Sequence, residues 1–198
     1  MDQLRGLRVR TARPADAADL ARIYIESWQD TYAGVISHNL LSGMSVKAHT
    51  ARWQASIKNM DRHGAILVAE ETQFGPIGLC SLGKARDRGV GFEGEIYTLY
   101  VDPAFLGRGA GRALLSGAFE VLKDHKLKSC LIWAHARNNA CFFYEAMGGL
   151  RVAMRTTRLM GELTPEIGFG WKRLATRKAA SNSALINPRP GNRNPGQS

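Results

Sequence analysis

At 198 residues, 44% of them apolar and 22% charged, the chain is long enough to bury the core of one domain and has the composition of an ordinary globular protein. No apolar run approaches membrane-spanning length, and the charged start MDQLRGLRVR is unlike a signal peptide. The net charge of +10 points loosely to an anionic partner.

Three cysteines, Cys80, Cys130 and Cys141, are odd in number, widely spaced and set in apolar segments, without paired metal-ligand spacing. The expectation is therefore buried free thiols, a reducing cytoplasm and no metal.

The first stretch, LRVRTARPADAADLARIYIESW, opens as a short alternating run and turns helical. Leu20, Ile23, Ser27 and Trp28 fall near one face, and Asp16 is placed to cap the helix. SVKAHTARWQASIKNM predicts a second helix, with Trp53 and Ile57 on one side. GAILVAEE and GPIGLCSLG are short, rich in β formers and separated by TQFGP, which predicts a hairpin. EGEIYTLYVD predicts a strand with Glu95, Tyr97, Leu99 and Val101 on one face and Ile96, Thr98 and Tyr100 on the other.

A helix follows the glycines of FLGRGAG, its apolar positions being Leu114, Leu115, Ala118, Phe119 and Leu122. SCLIWAHA reads as a strand, NACFFYEAMGG as a short helix ended by glycines, and LRVAMRTTRL and PEIGFGWKRL as closing strands. After Leu174 the composition turns to Asn, Ser, Pro and Gly, with Arg177, Lys178, Arg189 and Arg193 and no acid. Residues 175–198 are thus expected to be a disordered basic tail. The tail lacks interleaved aromatics, and no nucleic-acid motif accompanies it, so nucleic acid is not the expected partner.

The stretch LYVDPAFLGRGAGRALL sets three glycines in five residues where a strand hands over to a helix. Glycine lets the backbone approach a ligand closely. The first amides of a helix lack internal partners and carry the positive end of its dipole, which suits phosphate oxygens. Arg108 and Arg112 add positive charge. A P-loop would need Gly-Lys-Ser/Thr, and here Arg112-Ala113 follows Gly111. The dinucleotide pattern starting at Gly107 has Arg112 where its last glycine belongs.

On these residues the chain from Glu95 to Gly149 resembles the GNAT family of N-acetyltransferases. The family's acyl-coenzyme A motif, Gln/Arg-x-x-Gly-x-Gly/Ala, is matched by Leu106-Gly107-Arg108-Gly109-Ala110-Gly111 after YVDP. FYEAMGG resembles the second cofactor-proximal segment. Leu106 departs from the usual Gln or Arg, which removes a side-chain contact and leaves the amide cradle.

The resemblance implies an α+β fold, a mixed α/β sandwich: a twisted, mostly antiparallel central sheet of about seven strands with helices on both faces. It spans residues 8–174 after an N-terminal extension, 1–7. The backbone of Leu99, Tyr100 and Val101 would bond the pantetheine arm, and Gly107, Arg108, Gly109, Ala110, Gly111 and Arg112 would hold the pyrophosphate. Asn138 would touch the cofactor near the end of the fifth strand, with Arg137 and Asn139 as competitors.

Tyr144 sits where the family places its proton donor, although a core position beside Ala140, Phe143 and Met147 would also explain it. Glu95 is the candidate base, acting through water, with Glu93 and Tyr97 as alternatives. Trp28 and Tyr32, in SWQDTYAGVIS, would wall the acceptor site.

The implied activity is direct acetyl transfer from acetyl-coenzyme A to a small primary amine. The alternatives are a non-catalytic acyl-coenzyme A sensor and a protein N-acetyltransferase. A homodimer stays open.

Overall fold

The computed structural model describes residues 6–87 and 89–174. The expected basic tail and the start of the N-terminal extension lie outside the described residues. In chain order the elements are β1 (Arg8–Thr11), α1 (Ala17–Thr31), α2 (His38–Ser42), α3 (Val46–Lys58), β2 (Ala65–Glu71), β3 (Gly75–Lys84), β4 (Gly94–Val101), α4 (Ala110–Asp124), β5 (Cys130–His135), α5 (Ala140–Ala146), β6 (Leu150–Leu159) and β7 (Glu162–Trp171). This is the order expected from the sequence with one addition. The extra element is α2, whose five residues are too few to show a helical period.

All seven strands join one sheet in the order β1-β2-β3-β4-β5-β7-β6. Only β4 and β5 run parallel; the other neighbours are antiparallel. Helix α1 covers one face, where Leu20 and Ile23 pack on Ile66, Val68 and Leu79, with Trp53 and Ile57 of α3 alongside. Helix α4 covers the other, seating Leu114, Leu115, Ala118, Phe119 and Leu122 against residues that include Leu67, Cys80, Ile96 and Ile132. The fully buried leucines among them each contribute about 1.5–3 kcal/mol of apolar burial. All three cysteines are buried and unpaired, and burial pushes the Cys80 and Cys130 thiols up. None of the described helices is long and apolar enough to cross a membrane.

Three local features depart from simple pattern reading. Asp16 does not cap α1 with its side chain. Its carboxylate instead accepts the Arg13 amide at 2.6 Å and both guanidinium ends of Arg10, at 2.7 and 2.8 Å, and so ties β1 to the turn before the helix.

The second departure is in β4, whose strict alternation breaks. Thr98 pairs with Ser81, but Ile96 pairs with the very next residue, Leu82, leaving Tyr97 as the extra residue of a bulge. Leu99 and Val101 consequently share the α4 side with Ile96, while Tyr100 packs with the α1 cluster. Glu95, Tyr97, Leu99 and Val101 were expected on one face; the bulge divides them. Third, Leu7, within the extension, packs against the core that α4 covers.

Candidate active site

The parallel pairing of β4 with β5 lasts only from Gly94↔Cys130 to Ile96↔Ile132. Beyond it, Tyr97–Val101 and Trp133–His135 diverge, and backbone groups on the facing edges lose their strand partners. The parting opens a cavity of about 940 Å³. Its walls are β4 from Tyr97 to Val101, β5 from Ile132 to Ala134, the loop Gly107–Gly109 with the first turn of α4, and Asn138 and Tyr144 from the β5–α5 region. Tyr32, at the end of α1, closes it from the other side of the sheet.

The glycines do distinct jobs. Gly107 has φ +75° and Gly109 φ +96°, the left-handed region where a side chain is strained. Gly109 immediately precedes α4, and a Cβ built on it would meet nothing within 4 Å. The turn therefore leaves open space beside the amides of Ala110, Gly111 and Arg112, which by position have no intrahelical acceptor. Arg108 and Arg112 are exposed around it, and the Arg108 guanidinium stands 5.5 Å from the centre of the Phe105 ring. Asp102 holds the approach: its Oδ1 accepts the Ala104 amide at 3.0 Å, and its Oδ2 accepts from Arg22 at 2.7 Å. This cradle fits a phosphate-bearing cofactor by its space, its amides and its charge.

Twelve of the expected residues line the one cavity: Leu99, Tyr100, Val101, Gly107, Arg108, Gly109, Ala110, Gly111, Arg112, Asn138, Tyr32 and Tyr144. Tyr144 is 4% exposed, with its ring against Phe143, Phe169 and Trp171. Among the described residues nothing bonds its hydroxyl, and burial pushes the phenol up, so it stays protonated. Asn138 turns its Oδ1 inward to the Ala140 amide at 2.8 Å, starting α5, which leaves its amide nitrogen for the cavity. The Val101 carbonyl already accepts the Ser27 hydroxyl at 3.1 Å, a bond that locks α1 to the end of β4.

Trp28 and Glu95 stand elsewhere. Trp28 lies one layer behind the wall, where its Nε1–H donates to the Tyr100 hydroxyl at 3.0 Å. Glu95 is 1% exposed and does not line the cavity. Its carboxylate accepts the Arg86 amide at 2.8 Å and the Arg86 Nε at 3.0 Å. The same guanidinium lies 4.7 Å over the Tyr97 ring. Glu95 thus lies outside the cavity lining and is paired with Arg86, as a buried carboxylate needs a counter-ion.

The alternatives are similarly engaged. Glu93 accepts the Lys128 amide at 2.6 Å, and the Tyr97 hydroxyl donates to the Lys84 carbonyl at 2.7 Å. Reading by spacing missed Trp133 and Ser27 as site residues. Trp133 was legible as the odd polar-capable aromatic of CLIWAH; Ser27 was not, since its role depends on where β4 ends.

The chain matches the model of the acetyltransferase (GNAT) family over residues 19–149 and belongs to that family. It is 31% identical over 175 residues, 88% of this chain and 98% of the relative, to the uncharacterized N-acetyltransferase YuaI of Bacillus subtilis. It is 22% identical to the spermidine N(1)-acetyltransferase of Thermoplasma acidophilum, over 74% of this chain and 89% of that one. Among solved structures, the PaiA N-acetyltransferase of Thermoplasma acidophilum in complex with coenzyme A matches with a TM-score of 0.59 and 21% identity, covering 82% of this chain and 98% of that chain.

Proposed function

We propose that this acetyltransferase moves an acetyl group from acetyl-coenzyme A directly to the primary amine of a small molecule, within one ternary complex. The observation that carries this reading is the convergence on one cavity of the parted β4 and β5 edges, the glycine cradle and a buried protonated phenol. Bound acetyl-coenzyme A supplies the acetyl group as a thioester. The edge groups of Leu99–Val101 hold its pantetheine arm, and the cradle from Gly107 to Arg112 holds its pyrophosphate. Tyr144 donates the proton that the departing sulfur requires.

A free alkyl ammonium has a pKa of about 10, so the acceptor must shed a proton before it attacks. The Arg86 clamp supports a bracing role for Glu95, and the amine's proton leaves to water at the cavity mouth. Direct transfer is favoured because all three thiols are buried and, among the described residues, those of Cys130 and Cys141 bond only backbone carbonyls. The likeness to a spermidine acetyltransferase supports a small amine over a protein terminus.

The test is release of free coenzyme A with a panel of acceptors: spermidine, kanamycin, L-methionine and a peptide with an N-terminal alanine. Turnover with at least one of the first three, exceeding that with the peptide, is expected. Turnover confined to the peptide would move the acceptor class to proteins, and none with any acceptor would favour a sensor.

A further inference from the structure

The cavity reaches past the glycine cradle: Leu7, Phe105, Leu106 and Arg108 line it as well. Phe74, in the turn between β2 and β3, stands against this rim, its ring 5.1 Å from that of Phe105 and inclined to it by 62°. Phe74 is nevertheless 60% exposed and belongs to none of the hydrophobic core clusters. The Arg108 guanidinium lies 5.5 Å from the centre of the Phe105 ring. Two rings set at an angle, with a planar cation beside them, thus form a ledge that is open to water at the edge of a phosphate cradle.

Both rings are held by their backbones. The buried Glu71 turns its carboxylate into the β2–β3 turn, where Oε2 accepts the Gln73 amide at 2.7 Å and the Phe74 amide at 3.1 Å. The Thr72 hydroxyl donates to the Gly6 carbonyl at 3.2 Å and fixes the same turn from outside. Asp102 does the equivalent for Phe105: its Oδ1 accepts the Ala104 amide at 3.0 Å, and its carbonyl accepts the Phe105 amide at 2.8 Å. One side of Phe105 also packs against the core that α4 covers. A ledge fixed in this way loses little freedom when a flat group settles on it.

Coenzyme A brings such a group. Its pyrophosphate joins the pantetheine arm to an adenosine, so with the arm between the parted strands the base must lie on the surface beside the cradle. Any base offers a π face to an aromatic ring, and a guanidinium plane adds to the stack. The rim on the α5 side offers less. Phe143 packs over Gly111, where an added Cβ would stand 3.5 Å from its ring, and Phe142, though exposed, does not line the cavity. We propose that Phe74, Phe105 and Arg108 are a stacking site for the adenine base of the cofactor. The rim then grips the nucleoside while the cradle holds the pyrophosphate. This inference rests on the acetyl-coenzyme A reading above.

The experiment compares the parent with Phe74→Ala, Phe105→Leu and, as a control on an exposed ring outside the cavity, Phe142→Ala. Calorimetry measures binding of coenzyme A and of phosphopantetheine, which lacks the nucleoside, and thermal denaturation without ligand checks folding. Phe105→Leu keeps apolar volume against the core and removes only the ring. Phe74→Ala and Phe105→Leu should each raise the coenzyme A dissociation constant by about fivefold to tenfold, the low end for losing a ring under a base. Neither should change phosphopantetheine binding by more than about twofold, since that ligand has no base to stack. Phe142→Ala should leave both ligands at parental affinity.

A second readout reports the contact itself. In deuterated protein carrying protonated phenylalanine, bound coenzyme A should show nuclear Overhauser cross-peaks between phenylalanine ring protons and the purine ring protons, diminished in Phe74→Ala. Parental coenzyme A affinity in either folded ring variant would overturn the proposal. So would equal weakening of coenzyme A and phosphopantetheine, selective weakening of coenzyme A in Phe142→Ala, or purine cross-peaks that are missing or undiminished in Phe74→Ala. A parent that binds coenzyme A beside unresponsive ring variants would overturn the ledge alone. A parent that binds no coenzyme A would overturn the acetyl-coenzyme A reading and the ledge with it.

Discussion

Replacing Tyr144 by Phe is expected to lower kcat by about 10²–10⁴, the usual scale for a positioned general acid. The substitution deletes one hydroxyl that bonds nothing among the described residues. The ring keeps its contacts with Phe143, Phe169 and Trp171, with centroids 5.4, 5.5 and 6.4 Å away, so stability should change little. Burial holds the phenol protonated in the parent, and the loss should therefore be uniform from about pH 6 to pH 9 rather than confined to one limb of the profile. Coenzyme A affinity should be retained, because the cradle lies on α4 and Tyr144 on α5. Steady-state turnover measured beside calorimetric binding decides it. Parental turnover would return Tyr144 to the core, and turnover lost in step with melting temperature would convict packing instead.

Gly109→Val is expected to abolish coenzyme A binding while leaving a folded protein. At φ +96° a β-branched residue is strained, which costs on the order of 1–3 kcal/mol. The strain falls on an exposed turn outside the core, so the domain should still fold. The new side chain would project into the open space beside the α4 amides, where a pyrophosphate needs close backbone approach. Calorimetry should show no binding of coenzyme A at concentrations that saturate the parent. Retained binding would mean that the cradle is elsewhere. Gly111 is a milder control, since its φ is ordinary and an added Cβ would make only van der Waals contact, at 3.5 Å from Phe143.

What could be read from residues alone follows from where each constraint originates. The α4 stripe from Leu114 to Leu122, the β2–β3 hairpin and the glycine turn are local patterns, and local patterns survive folding when the tertiary contacts agree with them. The face of Leu99 was not legible, because the bulge at Tyr97 arises from pairing with β3. The Arg86–Glu95 ion pair was equally hidden: nine residues separate the partners, and only the fold makes the carboxylate buried enough to require it. Asp16 has the chemistry of a helix cap, yet Arg10 on the preceding strand competes for it more strongly, with two charge-assisted bonds.

Trp28 and Tyr32 are both expected, from the sequence, at the acceptor wall. The structure separates them into a lining phenol and an indole behind it, a distinction that depends on how α1 is rotated against β4. Short elements were the hardest. The five residues of α2 follow a turn closed by backbone bonds from Val35 and Ile36 to the Tyr32 carbonyl, at 3.0 Å each, and no side-chain period announces them.

The central claim, that the parted strands and the glycine cradle are an acetyl-coenzyme A site, is tested most directly by thermal denaturation with and without that molecule. At about 100 times its dissociation constant, a ligand that binds only the folded state adds on the order of 2.7 kcal/mol of stability. The account predicts a clear rise in melting temperature with acetyl-coenzyme A, little change with ATP or NAD at equal concentration, and loss of the rise in Gly109→Val. An unchanged melting temperature at saturating acetyl-coenzyme A would contradict it.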